Sequence, residues 1–152
     1  MRAASGPLML VCLAGAPALA AQQTPVRFAQ ALVNQMVRAH VALVAVELAV
    51  DSAGTCKTIA ATDPKDVGER CDDDEIGPMR TGEPDVAAPT RDDPVYDITQ
   101  ALHDATGRLI GAVGMDIKPM AGQDRAAALV VARRLLRELE ARIPSMHRLF
   151  EP

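Results

Sequence analysis

The chain has 152 residues, about the length of one domain, with 16 Lys and Arg against 20 Asp and Glu and a formal net charge of −4. This balance argues against nucleic-acid binding, because proteins that neutralise phosphates carry an excess of basic side chains. Aromatic residues make up only 2% of the chain and Trp is absent, so neither a base-stacking surface nor an aromatic sugar-binding platform is expected.

Residues 1–20 have the pattern of a secretory signal peptide. Arg2 supplies a positive charge, residues 8–14 are apolar, and residues 18–20 read Ala-Leu-Ala, with small side chains where signal peptidase requires them. We therefore expect an exported protein.

Cleavage is expected after Ala20 or Ala21, which leaves a single domain over residues 21–152 in the periplasm or outside the cell. One alternative is an uncleaved membrane anchor, for which the apolar run is short. Another is a lipoprotein attached through Cys12, although the residues before it, Met-Leu-Val, lack the small side chain expected before a lipidated cysteine.

The first predicted elements of the exported chain are a helix and a β-hairpin. Apolar residues recur at three- and four-residue steps over residues 26–40, which predicts a helix. The aliphatic, β-branched run over residues 41–50 predicts a strand, residues 51–54 a turn, and residues 55–61 a second, antiparallel strand.

Two cysteines, Cys56 and Cys71, would remain after cleavage. In an oxidising compartment a pair of cysteines is more often joined than free, so we expect a disulfide. Closing a loop of about fifteen residues would stabilise the folded state by roughly 3 kcal/mol, because the crosslink lowers the chain entropy of the unfolded state. A redox-active pair would favour a Cys-x-x-Cys spacing, and a zinc site would need further ligands.

Residues 62–94 differ from the rest of the chain, because they are rich in Pro, Gly and acidic residues. A short helix is predicted from Asp72 to Gly77 or Gly82, within an otherwise irregular segment of the kind that is usually functional or mobile. The acidic run 72–75 is explained by helix capping and the helix dipole. A calcium site is the alternative, but the spacing does not match an EF-hand loop.

Two further strands are predicted over residues 95–103 and 109–118, with a polar turn over residues 104–107 between them. A last helix is predicted over residues 123–143 and ends at Pro144. The order of elements predicts an α+β fold with an antiparallel sheet, a helix at each end and no separate second domain.

Four stretches of this sequence resemble a single Cache domain, the extracellular relative of the PAS sensor domains. They are Ile59-Ala60-Ala61-Thr62, Asp66-Val67-Gly68, Thr81-Gly82-Glu83-Pro84, and the hairpin over residues 102–117, Leu-His-Asp-Ala-Thr-Gly-Arg-Leu-Ile-Gly-Ala-Val-Gly-Met-Asp-Ile. The resemblance implies a curved five-stranded sheet with a long N-terminal helix behind it. It also implies that the irregular segment covers a small-molecule pocket on the opposite face.

Two glycines of this hairpin, Gly111 and Gly114, are expected to let its strands approach their neighbours closely. Most Cache domains are flanked by membrane helices and relay ligand occupancy to a signalling domain. This chain ends at Pro152 without one, so we expect it to act through a separate partner, or to carry or buffer its ligand.

Three residues are candidate ligand contacts. Asp116 is similar in position to the aspartate that meets the ligand's ammonium group in amino-acid-sensing Cache domains. Tyr96 could offer its hydroxyl to the same pocket, and Arg91 could clamp a ligand carboxylate. The ordinary alternatives are a strand-end aspartate, a core tyrosine and a solvated loop arginine.

The sequence therefore predicts a non-catalytic sensor module that binds a small polar metabolite, a carboxylate or an amino acid. It shows no recognisable catalytic triad or cofactor motif, and no metal or cofactor is expected. The alternative is an accessory protein of the cell envelope with a collapsed pocket. In either case a membrane-bound sensor or a second copy could dock on the C-terminal helix.

Overall fold

The computed structural model describes residues 27–152, so the predicted signal peptide lies outside the described residues. Three α-helices and five β-strands account for most of the described chain. In chain order they are α1 (Phe28–Ala39), β1 (Leu43–Ser52), β2 (Thr55–Ala61), α2 (Asp73–Thr81), β3 (Asp85–Ala87), β4 (Tyr96–His103), β5 (Leu109–Ile117) and α3 (Arg125–Glu140), followed by a 3-10 turn (His147–Phe150).

The five strands form one antiparallel sheet in the order β2-β1-β5-β4-β3. The two hairpins, β1-β2 and β4-β5, lie side by side, so β1 and β5 are the central strands. The turn of the second hairpin is held by Asp104, whose carboxylate accepts the backbone N–H groups of Thr106 and Arg108 at 2.9 and 3.2 Å. The predicted α+β fold with an antiparallel sheet is confirmed.

One face of the sheet carries the hydrophobic core. Its inward side chains are fully or almost fully buried under α1 and α3, and they include Val46, Leu48, Ile98, Leu102, Val113, Met115 and Ile117. The apolar stripe of α3 packs against this face through Ala128, Ala132, Leu135 and Leu139. The stripe thus has the ordinary packing role of an amphipathic helix.

No helix of residues 27–152 combines the length and apolar character that crossing a bilayer requires.

The opposite face is covered by α2 and by the segment before it. Asp72 begins α2 with a capping box: its carboxylate accepts the N–H of Asp74, and the Glu75 carboxylate accepts the N–H of Asp72, both at 2.9 Å. Gly82 ends the helix in the left-handed conformation, with φ of 74°. The capping interpretation of this acidic run is confirmed.

The segment before α2 is fastened to the edge strand β2. A disulfide joins Cys56 to Cys71, with 5.3 Å between their Cα atoms. Beside it, the Thr58 N–H donates to the Glu69 carbonyl at 3.0 Å, and the Gly68 N–H donates to the Thr58 carbonyl at 2.9 Å. These bonds fix residues 66–72 at one side of the open face.

Two expectations from the sequence need correction. Residues 83–94 were expected to be loop-like, but Asp85–Ala87 form β3, a three-residue edge strand too short to leave a pattern. Only Gly111 makes the expected close approach, since a Cβ there would overlap the Ala49 carbonyl of β1. A Cβ at Gly114 would lie 3.7 Å from the Thr99 hydroxyl, an ordinary contact, so Gly114 leaves open space instead.

Candidate functional site

A cavity of about 400 Å³ lies between the open face of the sheet and the segment that leads into α2. Three neighbouring strands each place one carboxylate on its floor: Glu47 on β1, Asp116 on β5 and Asp97 on β4. Gly114 lies among them and contributes no side chain. We call these three acidic residues the carboxylate floor.

The strand register explains why the three carboxylates converge. Asp97 is the direct cross-strand partner of Asp116, and Glu47 is the partner of Gly114, one step along the same face. Directly paired residues have Cβ atoms about 4.5–5.5 Å apart, and like charges in such pairs are destabilising. An arrangement that costs stability at the centre of a sheet suggests a functional reason for it.

The wall of the cavity is also acidic. It is built by residues 62–75, which β2, the disulfide and the capping box hold in place. Arg70 is the only basic residue in the lining, and it forms no ion pair with any residue that the structure describes. Nine acidic residues of the described chain line the cavity: Glu47, Asp63, Asp66, Glu69, Asp72, Asp74, Glu75, Asp97 and Asp116.

Burial and mutual repulsion disfavour the charged forms of the carboxylate floor. Burial, followed by repulsion from Asp97, raises the pKa of Asp116 to about 6. Partial burial and the neighbouring carboxylates likewise raise the pKa of Asp97, although this residue remains exposed to solvent on one side. Burial raises the pKa of Glu47, although the Thr58 hydroxyl, which donates a hydrogen bond to that carboxylate, partly opposes the effect. Near neutral pH the floor holds a repulsive negative charge that a bound cation would relieve.

The chemistry of this lining favours a positively charged ligand. A carboxylate ligand would meet repulsion from most of the wall, whereas an ammonium group would find several acceptors around one position. Among residues 27–152 no group of three or more His, Cys, Asp or Glu side chains is placed to hold a metal ion. The described acidic groups therefore surround a space of molecular size and lack the closer arrangement that a metal ion needs.

The structure places the three predicted contacts in different surroundings. Asp116 lies on the carboxylate floor. Tyr96 lies on the opposite, helix-covered face, because its cross-strand partner is Ile117, and its hydroxyl is 3.5 Å from the Gln123 carbonyl oxygen. Arg91 is exposed and does not line the cavity. The expectation that Tyr96 and Arg91 share a pocket with Asp116 is therefore corrected.

Sequence reasoning missed Glu47 and Asp97. Glu47 is a carboxylate inside the strongly apolar strand β1, and that contrast is a signal the sequence does contain. Asp97 is the second residue of β4, a strand of mixed composition, and gives no comparable signal. Their convergence with Asp116 depends on the pairing of β1 and β4 with β5, which the sequence does not specify. Arg70 carries no local signal, because it lies in the irregular segment among acids.

The chain matches no protein-family model and no curated protein sequence. Its fold is similar to that of a protein assigned as a GAF sensor from Burkholderia vietnamiensis, with a TM-score of 0.55, 15% sequence identity, and coverage of 78% of this chain and 77% of that one. It is also similar to the GAF domain of a two-component sensor histidine kinase from Bacillus halodurans, with a TM-score of 0.51, 10% identity, and coverage of 78% and 91%. The chain thus has a GAF/PAS-like fold, which confirms the fold that the resemblance to PAS-type domains implied.

Proposed function

We propose that this protein is a ligand-binding sensor module that recognises a small organic cation, an amine or the ammonium group of an amino acid. The observation that carries the proposal is the carboxylate floor, where Glu47, Asp97 and Asp116 from three strands face one cavity. An ammonium group bound there would replace like-charge repulsion with charge-assisted hydrogen bonds.

Arg70 narrows the ligand class further. It is the one basic residue that the described part of the chain contributes to this largely acidic lining, and it lies on the wall segment that pairs with the edge strand β2. A guanidinium group pairs well with a carboxylate through two parallel hydrogen bonds. An amino acid could therefore place its ammonium group on the floor and its carboxylate at Arg70, whereas a plain carboxylate would use Arg70 alone against nine acids.

We propose that this site binds its ligand without catalysis and without a cofactor. A concave site with fixed polar groups can bind a metabolite by exchanging the ligand's hydration for those groups. The alternative, an interaction protein with a collapsed pocket, is less well supported, since the cavity is open and measures about 400 Å³.

The sequence supports a location and a module type for this sensor. The pattern of residues 1–20 supports export to the periplasm or beyond, and the hairpin over residues 102–117 supports a Cache-type module. A sensor of this kind would pass on ligand occupancy through a membrane-bound partner or a second copy. The exposed side of α3, where Val130 is 66% exposed, is the surface we propose for that contact.

A thermal-shift screen followed by calorimetric titration tests the ligand class. The compounds are a diamine, lysine, alanine, succinate and calcium, added to oxidised protein that has been refolded to remove any bound ligand. A ligand at a hundred times its dissociation constant stabilises by about 2.7 kcal/mol, which is several degrees for a domain of this size. We expect the amine-bearing compounds to raise the unfolding temperature and succinate to leave it unchanged.

Matched variants locate the binding site. Asp116→Asn and Asp97→Asn should weaken amine binding about tenfold each, which is the loss of roughly 1.4 kcal/mol of charge-assisted interaction. Asp92→Asn, an exposed loop residue outside the cavity lining, should leave binding unchanged. Stabilisation by succinate but not by amines, or an equal effect of all three variants, would overturn the proposal.

A further inference from the structure

A second, smaller depression lies beside α3, away from the acidic cavity. The pairing of β3 with β4 begins at Asp85 and Thr99, so the stretch of β4 from Gln100 to His103 has no strand on that side within residues 27–152. A groove of about 220 Å³ occupies this edge, between the end of α2 and the flank of α3. We call it the side groove.

The side groove contains a buried polar group without a partner. Gln100 lines it and is only 4% exposed, and its side-chain amide nitrogen makes no hydrogen bond within the part of the chain that the structure describes. A buried amide donor left unpaired costs stability, and native proteins rarely leave one without a reason. Because this nitrogen is not exposed, a hydrogen-bond acceptor bound in the groove reaches it only when the Gln100 side chain turns towards the groove, and it would then supply the missing partner.

The other groups in the side groove suit an acceptor that carries negative charge. Arg133 reaches it from α3 and forms no ion pair with any residue between 27 and 152. No acidic residue of the described chain lines the side groove, in contrast to the acidic cavity. Met79, Leu109 and Leu136 supply apolar walls on both sides.

The open strand edge could in principle accept an added peptide strand, but one of its donors is already used. The His103 N–H donates to the Glu140 carboxylate at 2.9 Å, and the His103 ring nitrogen Nδ1 lies 3.0 Å from the same oxygen. A strand added there would have to displace this contact. A small molecule that uses only Gln100 and Arg133 would leave it intact.

We propose that the side groove binds a small carboxylate with an apolar body, such as a short aliphatic acid. The carboxylate pairs with the guanidinium of Arg133 and accepts a hydrogen bond from the Gln100 amide. The hydrocarbon part lies against Met79 and Leu136. The carboxylate ligand expected from the sequence then binds in the side groove, and the cation binds in the acidic cavity.

Titration with two ligands of equal chain length tests this inference. Protein purified from cells that express the full 152-residue chain is labelled with ¹⁵N and titrated with hexanoate, then separately with hexylamine and with acetate. We expect hexanoate to shift the Gln100 side-chain amide signal and the neighbouring β4 and α3 signals in a saturable way. Hexylamine should leave these signals unchanged, and acetate should bind more weakly than hexanoate because it buries less apolar surface.

Three variants make the result decisive. Arg133→Gln should weaken hexanoate binding about tenfold or more, while Arg134→Gln, on the next position of α3 and outside the groove, should change it less than about twofold. Gln100→Met keeps the side-chain length and removes the unpaired amide, so it should weaken hexanoate binding without lowering the unfolding temperature.

Four results would overturn the inference. They are no saturable shift with hexanoate, an equal loss in the two arginine variants, an undiminished affinity in Gln100→Met, and a Gln100→Met protein that unfolds at a lower temperature. The last result would mean that a water molecule already satisfies the amide. None of them bears on amine binding in the acidic cavity, which hexylamine reports separately.

Discussion

The two faces of the sheet are built from alternate residues of the same strands, yet they have opposite character. On the helix-covered face Leu48, Ile98 and Met115 are completely buried among apolar side chains. Their immediate neighbours in the chain, Glu47, Asp97 and Asp116, point the other way into the acidic cavity. One face stabilises the fold, and the other carries repulsive charge.

This division shows how a small domain can hold a destabilising site. Alternation in a strand lets neighbouring residues serve different faces without any change in backbone structure. Packing under α1 and α3 offsets the repulsion within the carboxylate floor, and the disulfide holds the opposing wall. Variants that disturb the sheet, the cavity wall and the carboxylate floor should therefore change the free energy of unfolding by decreasing amounts.

The largest effect is expected from Gly111, which lies in the sheet that both faces share. Because a Cβ at this position would overlap the Ala49 carbonyl, Gly111→Ala must push β5 away from β1. We expect a loss of about 4 kcal/mol in the free energy of unfolding, above the roughly 1–3 kcal/mol usual for overpacking, because the added Cβ meets backbone atoms and not a movable side chain. Denaturant unfolding followed by circular dichroism measures it.

Gly114→Ala is the matched control on the same strand. A Cβ there makes only ordinary contacts, with Thr99 at 3.7 Å and Glu47 at 3.8 Å. The free energy of unfolding should change by less than about 1 kcal/mol. Equal losses in the two variants would mean that both glycines are needed for close packing of the strands. Gly114 would then not be the position at which the cavity floor has room for a side chain.

The disulfide is expected to matter next, and mainly on the open face. Replacing Cys56 and Cys71 together by serine removes a crosslink of 15 residues, worth about 3 kcal/mol. Hydrogen exchange should become faster at Gly68 and Cys71, in the wall of the cavity, while α1 keeps its protection. Loosening of both faces to the same degree would contradict the separation between wall and core.

The helix-covered face could be predicted from the sequence, but the binding face could only partly be predicted. Apolar runs and the turn at residues 104–107 specify strands and a hairpin, because each pattern is local. The cavity depends on register: Asp97 meets Asp116 only through the pairing of β4 with β5, and Tyr96 faces away for the same reason. Asp63 and Glu69 reach the wall through a disulfide and long-range backbone bonds that no local pattern records.

The smallest and most diagnostic effect concerns Asp116 and pH. Its pKa is about 6 in the folded protein and about 3.9 in an unfolded chain, so the folded state holds its proton more strongly. The contribution of this group to stability is therefore present below about pH 4 and is lost as the pH rises through about 6. Since the side chain is half-buried, solvent screening reduces the expected loss to about 1 kcal/mol.

Asp116→Asn separates this contribution from all other titrations. The variant and the natural protein should have similar free energies of unfolding at about pH 4, and the variant should become more stable by about 1 kcal/mol at about pH 7.5. Asp92→Asn should follow the natural protein at every pH. A saturating amine should stabilise the natural protein most above about pH 6, where the Asp116 carboxylate is ionised, and should stabilise Asp116→Asn far less. A variant that is no more stable than the natural protein at neutral pH would show that the carboxylate floor carries no strain for a ligand to relieve.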